Sequence, residues 1–278
     1  MRLSRLHLLP LALLAVAACH EDGVSVNARP PLGGVRFINA VPDGGPVDIR
    51  MIDQVEWSAS SVSSSTNYGL PFRSGTIHWS TEAKARHIRV FPTDSSLAIT
   101  TQILHDTTIT IEAGKNVTLM LVGSRAAGGK VSFVRIDDNP ATPSATQMAV
   151  RLVNASSAGQ VPSNADAYIT ATTSTALPAT TTFASVAPRS TSTYLARALG
   201  DFAVQATPAG SQATGWSAAA PSGAPAAGLI GATAGALGGG SALSAYLFPR
   251  SVAGTSAPQG FTTPGLVFFV DLIPAPPK

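Results

Sequence analysis

The glycine-rich run Gly123–Lys130 is the part of the chain closest to a phosphate-binding loop. Such a loop has two glycines at fixed spacing, then Lys and a Ser or Thr, because backbone amides hold the phosphates and the hydroxyl binds magnesium. Here the glycine spacing differs by one residue, and Val131 stands where the hydroxyl is required. The run lies between two strand-like segments, so we interpret it as a hairpin loop.

Metal binding would need histidines or acids that converge in space. His78, His87 and His105 are far apart in the sequence, and no two histidines have the spacing of a helical zinc site. The run Asp137–Asn139 offers the oxygen ligands that calcium prefers, but it lacks the glycine-spaced loop of a dedicated site. We interpret it as Asx turns that end a strand, and we expect no metal and no cofactor.

Catalytic motifs are equally absent from the sequence. The segment 254–258 comes nearest to a nucleophile elbow, but it lacks the second glycine that the strained turn requires. Trp57, Trp79 and Trp216 would suit a sugar-stacking platform, although burial in a β-sheet core is the commoner fate of such side chains. The sequence therefore predicts no catalytic residues.

The first residues of the chain carry chemistry of another kind. Arg2 and Arg5 precede an apolar stretch of about 13 residues, whereas a bilayer-spanning helix needs roughly 20. The stretch ends in Val16–Cys19, and Cys19 is the only cysteine. This pattern resembles the bacterial lipobox. The resemblance implies cleavage after Ala18, acyl chains such as palmitate on Cys19, and attachment to a membrane through that lipid.

These features predict a lipoprotein signal peptide over residues 1–18 and a tether over 19–34. The alternative is an ordinary secretory signal in which the cysteine occurs by chance. Because His20 rather than Asp follows the cysteine, the resemblance implies the outer membrane, on its periplasmic or its surface face. The fold would then lie in the cell envelope without an internal disulfide, since one cysteine cannot form one.

Charge and composition exclude further classes. The 278 residues are 45% hydrophobic and only 12% charged, with a net charge of +3 that falls to about +1 without Arg2 and Arg5. Nucleic-acid binding needs a basic surface, which this chain lacks, so we expect no nucleic-acid partner. With 25 Gly and 21 Pro, a helical bundle is disfavoured.

A repeat organises the rest of the chain. The hexamer Val35–Ala40 returns as Val150–Ala155 with four identical positions, and each copy leads through a turn into a second short segment. Two copies at domain-sized separation indicate two homologous modules. A polar stretch with two prolines marks the boundary. We predict module 1 over 35–139 and module 2 over 140–278, and we expect each to fold separately.

Short β-branched runs separated by turn residues predict the fold class. It is all-β, with two tandem Ig-like (transthyretin-like) antiparallel β-sandwich domains. The runs that we assign to strands are 35–40, 46–49, 87–91, 97–100, 108–113, 117–122, 131–136, 164–169, 243–248 and 265–271.

Two stretches are predicted as loops that could bind a partner, with a passive loop insertion as the alternative for the second. The first is Asp53–Arg73, rich in serine and containing Trp57 and Tyr68. The second is the Ala/Gly-rich insertion 217–242, which directly follows Trp216 and contains one weak strand near 228–232. Because these loops carry little charge, they would suit a neutral or apolar partner, either an envelope protein or a polymer.

The two openings resemble a bacterial family catalogued as a domain of unknown function, number 4397. In that family an Arg-bearing strand leads into an Asn-Ala-Val-Pro-Asp type of turn and then a Pro-x-Val-Asp strand. Residues 35–49 match well, whereas module 2 departs from the pattern at Ser156–Gly159 and at Ala165. The resemblance implies an exported β-sandwich protein and no established activity.

Two function classes are compatible with these features. The first is a non-catalytic, lipid-anchored envelope protein that serves binding, adhesion or envelope structure. The second is a lipid-anchored hydrolase or carbohydrate-active protein. The missing catalytic motifs favour the first class. Two acids or two histidines close together in a cleft would favour the second.

Overall fold

The structure is a computed structural model. It describes residues 30–57, 62–160, 162–172, 174, 176–213, 215–223 and 234–273, with side chains left out for 54–57 and 62–68. The predicted signal peptide, Cys19, most of the tether and the weak strand near 228–232 lie outside the described residues.

Nine strands and one helical turn come from the first half of the described chain. They are β1 (Leu32–Asn39), β2 (Val47–Trp57), β3 (Val62–Leu70), β4 (Ser74–Gly75), β5 (Trp79–Glu82), β6 (Ala85–Pro92), α1 (Leu97–Thr100), β7 (His105–Thr110), β8 (Asn116–Gly123) and β9 (Val131–Asp137).

Nine further strands come from the second half of the described chain. They are β10 (Gln147–Asn154), β11 (Ala165–Thr170), β12 (Phe183–Val186), β13 (Ser190–Thr191), β14 (Leu195–Ala198), β15 (Ala203–Pro208), β16 (Trp216–Ala219), β17 (Ala242–Phe248) and β18 (Gly265–Leu272).

The strands form four sheets, two in each half. Sheet A has the order β4-β1-β8-β9, with β5 also paired to β1, and sheet B has the order β3-β2-β6-β7. Sheet C has the order β13-β10-β17-β18, with β14 also paired to β10, and sheet D has the order β12-β11-β15-β16. The all-β prediction is confirmed. Pairing is antiparallel except for β1 with β8 and β10 with β17, which run parallel.

Three apolar clusters stack the sheets in the order B-A-C-D. The first cluster joins sheets B and A, through residues such as Ile49 and Leu119. The second joins sheets C and D, through residues such as Leu152 and Val204. The third lies between sheets A and C and joins the two halves. Sheets A and C are therefore covered on both faces.

Alternation along the strands explains why two sheets have two apolar faces. In β8, Leu119 and Leu121 enter the first cluster, whereas Met120 and Val122 enter the third. A strand buried on both faces has a continuous apolar run instead of an alternating one. That is the pattern of 117–122, whereas in β7 half-buried and exposed positions alternate.

One glycine sets the distance between sheets A and C at their edge. A Cβ on Gly75 in β4 would lie 2.7 Å from the ring of Phe269 in β18 and 2.8 Å from Ile38. Only glycine permits this approach without displacing the ring. The seam between the halves is therefore closed tightly where β4 meets β18.

Several local predictions are wrong. Residues 97–100 form the helical turn α1 instead of a strand. Just before this turn, the amide of Ser96 donates a hydrogen bond to the side chain of Asp94 (2.8 Å). The predicted loop Asp53–Arg73 is largely the hairpin of β2 and β3, which pair from Val47↔Leu70 to Trp57↔Val62. The insertion 217–242 starts in strand β16, since Ser217 pairs with Gln205 of β15.

Every strand pair in the described residues joins strands of the same half. The third cluster nevertheless gives the halves a shared core, with Ile38 and Met120 on one side and Val153 and Phe248 on the other. Separate folding of the two modules stays a prediction. In the described part of the chain, no helix has the length and apolar character needed to cross a membrane.

Candidate functional site

Two arginines at equivalent positions of the repeat face each other between sheets A and C. Arg36 lies in β1 and donates from Nε to the hydroxyl of Thr118 in β8 (2.8 Å). Arg151 lies in β10 and donates from Nε to the hydroxyl of Ser244 in β17 (2.7 Å). Both arginines point away from their own sandwich core, because their neighbours Phe37 and Leu152 occupy it.

Two aspartates complete the charge balance. Nη2 of Arg36 donates to Oδ2 of Asp138 (3.0 Å) and to Oδ1 of Asp271 (2.7 Å). Nη2 of Arg151 donates to Oδ1 of Asp138. The side chains of the four residues are between 0% and 4% exposed. We call Arg36, Arg151, Asp138 and Asp271 the ion cluster.

Hydroxyls and carbonyls saturate the remaining hydrogen-bonding groups. Thr118 donates to Asp138, and Ser244 donates to Asp271 (2.5 Å). Nη1 of Arg36 donates to the carbonyl of Val270 in the other half (2.9 Å). Nη1 of Arg151 donates in the same way to the carbonyl of Asp137 (3.0 Å). The two halves thus make matching contacts about a local pseudo-twofold axis, as expected for an interface between repeats.

His78 and Tyr194 extend the cluster toward the surface at equivalent places. His78 precedes β5, and its Nε2 lies 2.9 Å from Oδ2 of Asp138. Tyr194 precedes β14, and its hydroxyl donates to Oδ2 of Asp271 (2.9 Å). A hydroxyl two residues before each ring, in Thr76 and Ser192, accepts the amide of the facing strand. The repeat therefore extends well beyond the hexamers.

Neighbouring groups of opposite charge keep Asp138 and Arg36 in their charged forms. Burial alone would raise the pKa of Asp138, but the hydrogen bond from His78 and the charges of Arg36 and Arg151 hold it below its ordinary value. Burial alone would lower the pKa of Arg36, but the negative charges around it, including Asp138 and Asp271, raise it instead. Asp138 is therefore ionised at neutral pH and acts as a counterion to both arginines.

Arg73 forms a second tie between the halves. It donates to the carbonyl of Pro249 (2.6 Å) and to that of Thr263, and its guanidinium lies 4.5 Å from the centre of the Phe261 ring. Burial lowers the pKa of Arg73 to about 10. The equivalent Arg189 instead donates to Ser157 of its own half (3.1 Å), so this tie breaks the pseudo-symmetry.

A cleft of about 520 Å³ opens over the ion cluster at the seam between the halves. The side near β4 is residues 75–78, and the side near β18 is residues 268–273, with Arg36 and Asn116 also lining it. Ile77 is 77% exposed and Ile273 is 64% exposed. We call this feature the seam cleft.

Asp138 and Asp271 accept from the same nitrogen of Arg36, so two acids do lie side by side near a cleft. Both side chains are 0% exposed. A general acid or base must reach a substrate and titrate near the working pH. Asp138 meets neither condition, because it is buried and its pKa is lowered. This pair therefore acts as counterions to the two arginines.

The structure separates the residues that the sequence singled out. His78 contacts Asp138, His87 contacts Asp106 (2.5 Å), and His105 packs edge-on against Phe133. Among the described residues, no three His, Cys, Asp or Glu side chains are grouped so as to hold a metal ion.

The predicted aromatic and loop residues are also placed apart. Trp79 packs edge-on against Phe37 in the first half, whereas Trp216 lies in β16 and packs on the second core. Trp57 lies in β2 and Tyr68 in β3, and their side chains are outside the described ones. Trp57, Tyr68 and Trp216 as binding residues stay a prediction, although all three stand on strands.

The run Asp137–Asn139 does not form the Asx turns that we expected. Asp138 enters the ion cluster, and Asp137 accepts from Arg135 (3.1 Å). The side chain of Asn139 makes two hydrogen bonds with the backbone of Asn116 (2.9 and 3.0 Å) and so ties β9 to the start of β8. The interpretation of Gly123–Lys130 as a hairpin loop is confirmed, since it joins β8 to β9.

Replacement of Arg36 tests how much the ion cluster contributes to the stability of the fold. In Arg36→Met the two carboxylates lose a buried counterion, so we expect the free energy of unfolding to fall by about 3–5 kcal/mol. Urea unfolding at pH 7 measures this change. The control is Arg135→Met, because the Arg135 side chain is 33% exposed and pairs at the surface; its cost should stay within about 1 kcal/mol. Equal losses in both variants would contradict the assignment.

Acid should weaken the interface through Asp138. Because the folded pKa lies below the ordinary 3.8, Asp138 contributes stability above that pH and loses it as the pH falls through the folded value. We expect the free energy of unfolding to decline below about pH 4. In Asp138→Asn this decline should be shallower, even though the variant is less stable at pH 7. Parallel pH profiles of the two proteins would refute this.

Part of the chain matches the model of a known family. Residues 33–163 match the model of the family described as Domain of unknown function (DUF4397). The matched region begins in β1 and runs past β10 into the turn of the second copy. No curated protein matches the chain. Residues 33–163 are therefore similar to the DUF4397 family, as the opening motif predicted.

Proposed function

We propose that the protein is a non-catalytic, lipid-anchored component of the cell envelope that binds an extended apolar segment of an envelope protein in the seam cleft. The observation that carries this proposal is the free edge of β18 beside two exposed isoleucines. The anchor is Cys19, by its resemblance to the lipobox. The partner chemistry is set by the walls of the cleft.

The walls of the cleft are apolar where a ligand would touch them. Ile77 and Ile273 are exposed on opposite sides, and Phe268, Phe269 and Leu272 line the space between them. The nearby charges of Arg36 and Asp271 are already paired with each other. An apolar segment therefore gains contact area here without displacing an ion pair, whereas a charged ligand finds no free counterion.

The edge of β18 favours a polypeptide in extended conformation. Among the described strands, β18 forms a strand pair with β17 alone, so its other edge is not hydrogen-bonded to a strand, although β16 of sheet D lies close to β18. Such an edge offers backbone donors and acceptors to an added strand, with side-chain pockets that select its sequence. Residues 268–273 of β18 and its continuation line the seam cleft along their length.

The ion cluster makes the cleft a fixed shape. Arg36 and Asp271 link sheet A to sheet C directly beneath it, and Gly75 is packed on Phe269. A site that is rigid before binding loses less conformational entropy when it is occupied. The described residues of the predicted binding stretches 53–73 and 217–242 do not line this cleft, and both stretches stay separate proposals.

Lipid attachment is tested by Cys19→Ala. Because Cys19 offers the only thiol, this change should abolish incorporation of radiolabelled fatty acid and leave the protein uncleaved and released from the membrane fraction. Labelling of cells that express either form, followed by fractionation, measures both effects. Label retained in the Cys19→Ala protein would exclude this anchor.

Occupancy of the seam cleft is tested by photo-crosslinking in living cells. A benzophenone amino acid at position 77 should form a crosslink to one envelope protein, because that side chain stands at the cleft. The matched control is position 97, since Leu97 is 76% exposed but does not line the cleft. Ile273→Asp should reduce the position-77 crosslink at least about tenfold, because burial of a carboxylate against apolar surface is unfavourable.

The other outcomes decide against the proposal. Equal crosslinks at 77 and 97 would mean non-specific contact. A crosslinked glycan in place of a polypeptide would replace the protein partner by a polymer. Turnover of an ester, glycan or peptide substrate that is lost in a single Asp or His variant would overturn the non-catalytic role.

A further inference from the structure

A second cleft, of about 590 Å³, lies in the first half between the α1–β7 connection and the β8–β9 loop. One wall is formed by residues 102–106, and the other by Ser124, Arg125 and 129–131. We call it the loop cleft. It shares no lining residue with the seam cleft, so occupancy of one does not depend on contacts in the other.

The glycine-rich loop beside this cleft already holds a carboxylate. Asp43, which is 8% exposed, accepts from the hydroxyl of Ser124, from the amide of Arg125 (2.9 Å) and from the amide of Ala126 (3.1 Å). Successive amides that converge on an anion form a nest. The amides of Arg125 and Ala126 are thus occupied by the chain's own carboxylate and are not available to a ligand.

The second acid near the cleft is also neutralised. Asp106 accepts from Nε of Arg89 (2.7 Å) and contacts Nε2 of His87 (2.5 Å). The hydrogen bond from Arg89, and after it that from His87, lowers the pKa of Asp106. Its negative charge is therefore matched by groups of β6 and offers little repulsion to an incoming anion.

Two cations and one imidazole in the cleft have no such partner. Within the described residues, the guanidinium of Arg125 and the ammonium of Lys130 make no ion pair with a carboxylate. The ring of His105 packs edge-on against Phe133 (5.5 Å between centres), and burial lowers its pKa, so it is neutral at pH 7 and carries one N–H donor. All three residues line the loop cleft.

We propose that the loop cleft binds the phosphate group of a phosphate monoester through Arg125, Lys130 and His105. Two unpaired positive charges match the double negative charge of such a group, and the planar guanidinium suits two of its oxygens at once. The volume exceeds that of one phosphate and leaves space for the organic part of the ester. The ester can be a soluble metabolite or a lipid headgroup, since both present the same group.

Titration of the full chain, labelled with ¹⁵N, by inorganic phosphate tests the site. Saturable shifts should appear at the amides of 102–106 and 124–131. Arg125→Gln together with Lys130→Gln should weaken phosphate binding at least about tenfold, since two charge-assisted contacts are lost. The glutamines keep most of each side-chain stem, which matters because Cδ of Arg125 packs on Gly44.

The matched control removes the same charge elsewhere. Lys115→Gln together with Arg250→Gln also lowers the net charge by two, and neither residue lines the loop cleft. This pair should leave phosphate affinity within about twofold of the unmodified chain, as expected when only long-range, screened charge changes. Equal weakening in both double variants would overturn the proposal, and so would shifts that never saturate. Acetate binding as tight as phosphate binding would overturn the ligand class.

Vesicles separate the two sources of the phosphate. Co-sedimentation with phosphatidylcholine vesicles that contain phosphatidic acid, in excess over pure phosphatidylcholine and lost in the Arg125/Lys130 variant, would assign a lipid headgroup. Saturable binding of inorganic phosphate without this excess would assign a soluble ester. Either result supports phosphate recognition, and failure of both refutes it.

Discussion

The paired guanidiniums and carboxylates between sheets A and C are the constraint on which the rest of the structure depends. Charges out of contact with water are tolerated only when every one of them is matched in distance and direction. Arg36 can meet Asp271 only if β1 and β18 keep their registers, and Arg151 can meet Asp138 only if β10 and the end of β9 do the same. A slip of one residue in either strand would turn an arginine into its own sandwich core. The ion cluster thus specifies the position of sheet A relative to sheet C.

The same arrangement explains how the two similar sandwiches join through an interface that combines apolar contacts with buried polar ones. The third cluster supplies contact area, with Met120 and Tyr246 at equivalent places on the two sides. Area by itself allows the sheets to slide, because dispersion contacts have little directional preference. The hydrogen bonds from Nη1 of Arg36 and of Arg151 to backbone carbonyls of the opposite half remove that freedom. Specific orientation thus comes from polar groups and contact energy from apolar ones.

Much of the fold was accessible from the sequence, and the candidate site was not. Runs of β-branched, aliphatic and aromatic residues predict strands such as 117–122 and 243–248. The repeated hexamer predicts that the two halves share an architecture. The strand prediction for Leu97–Thr100 is wrong because a single apolar tetrapeptide fits a strand as well as a helical turn. The ion cluster depends on which distant strands become neighbours, and no local pattern encodes that. Its only traces were an arginine at the same place in both hexamers and Asp271 inside an otherwise apolar run.

The dependence of Arg36 on Asp271 links β1 to β18, the first and last of the described strands, and so orders events during synthesis. The ribosome completes β1 to β9 well before it reaches β18, and a nascent chain folds from its amino-terminal part onward. Until β18 arrives, Arg36 lacks one of its two counterions and the apolar outer face of sheet A has no cover. A chain that stops short of β18 therefore exposes the surface that quality-control proteases and chaperones recognise. Arrival of β18 therefore completes both the ion cluster and the cover of sheet A.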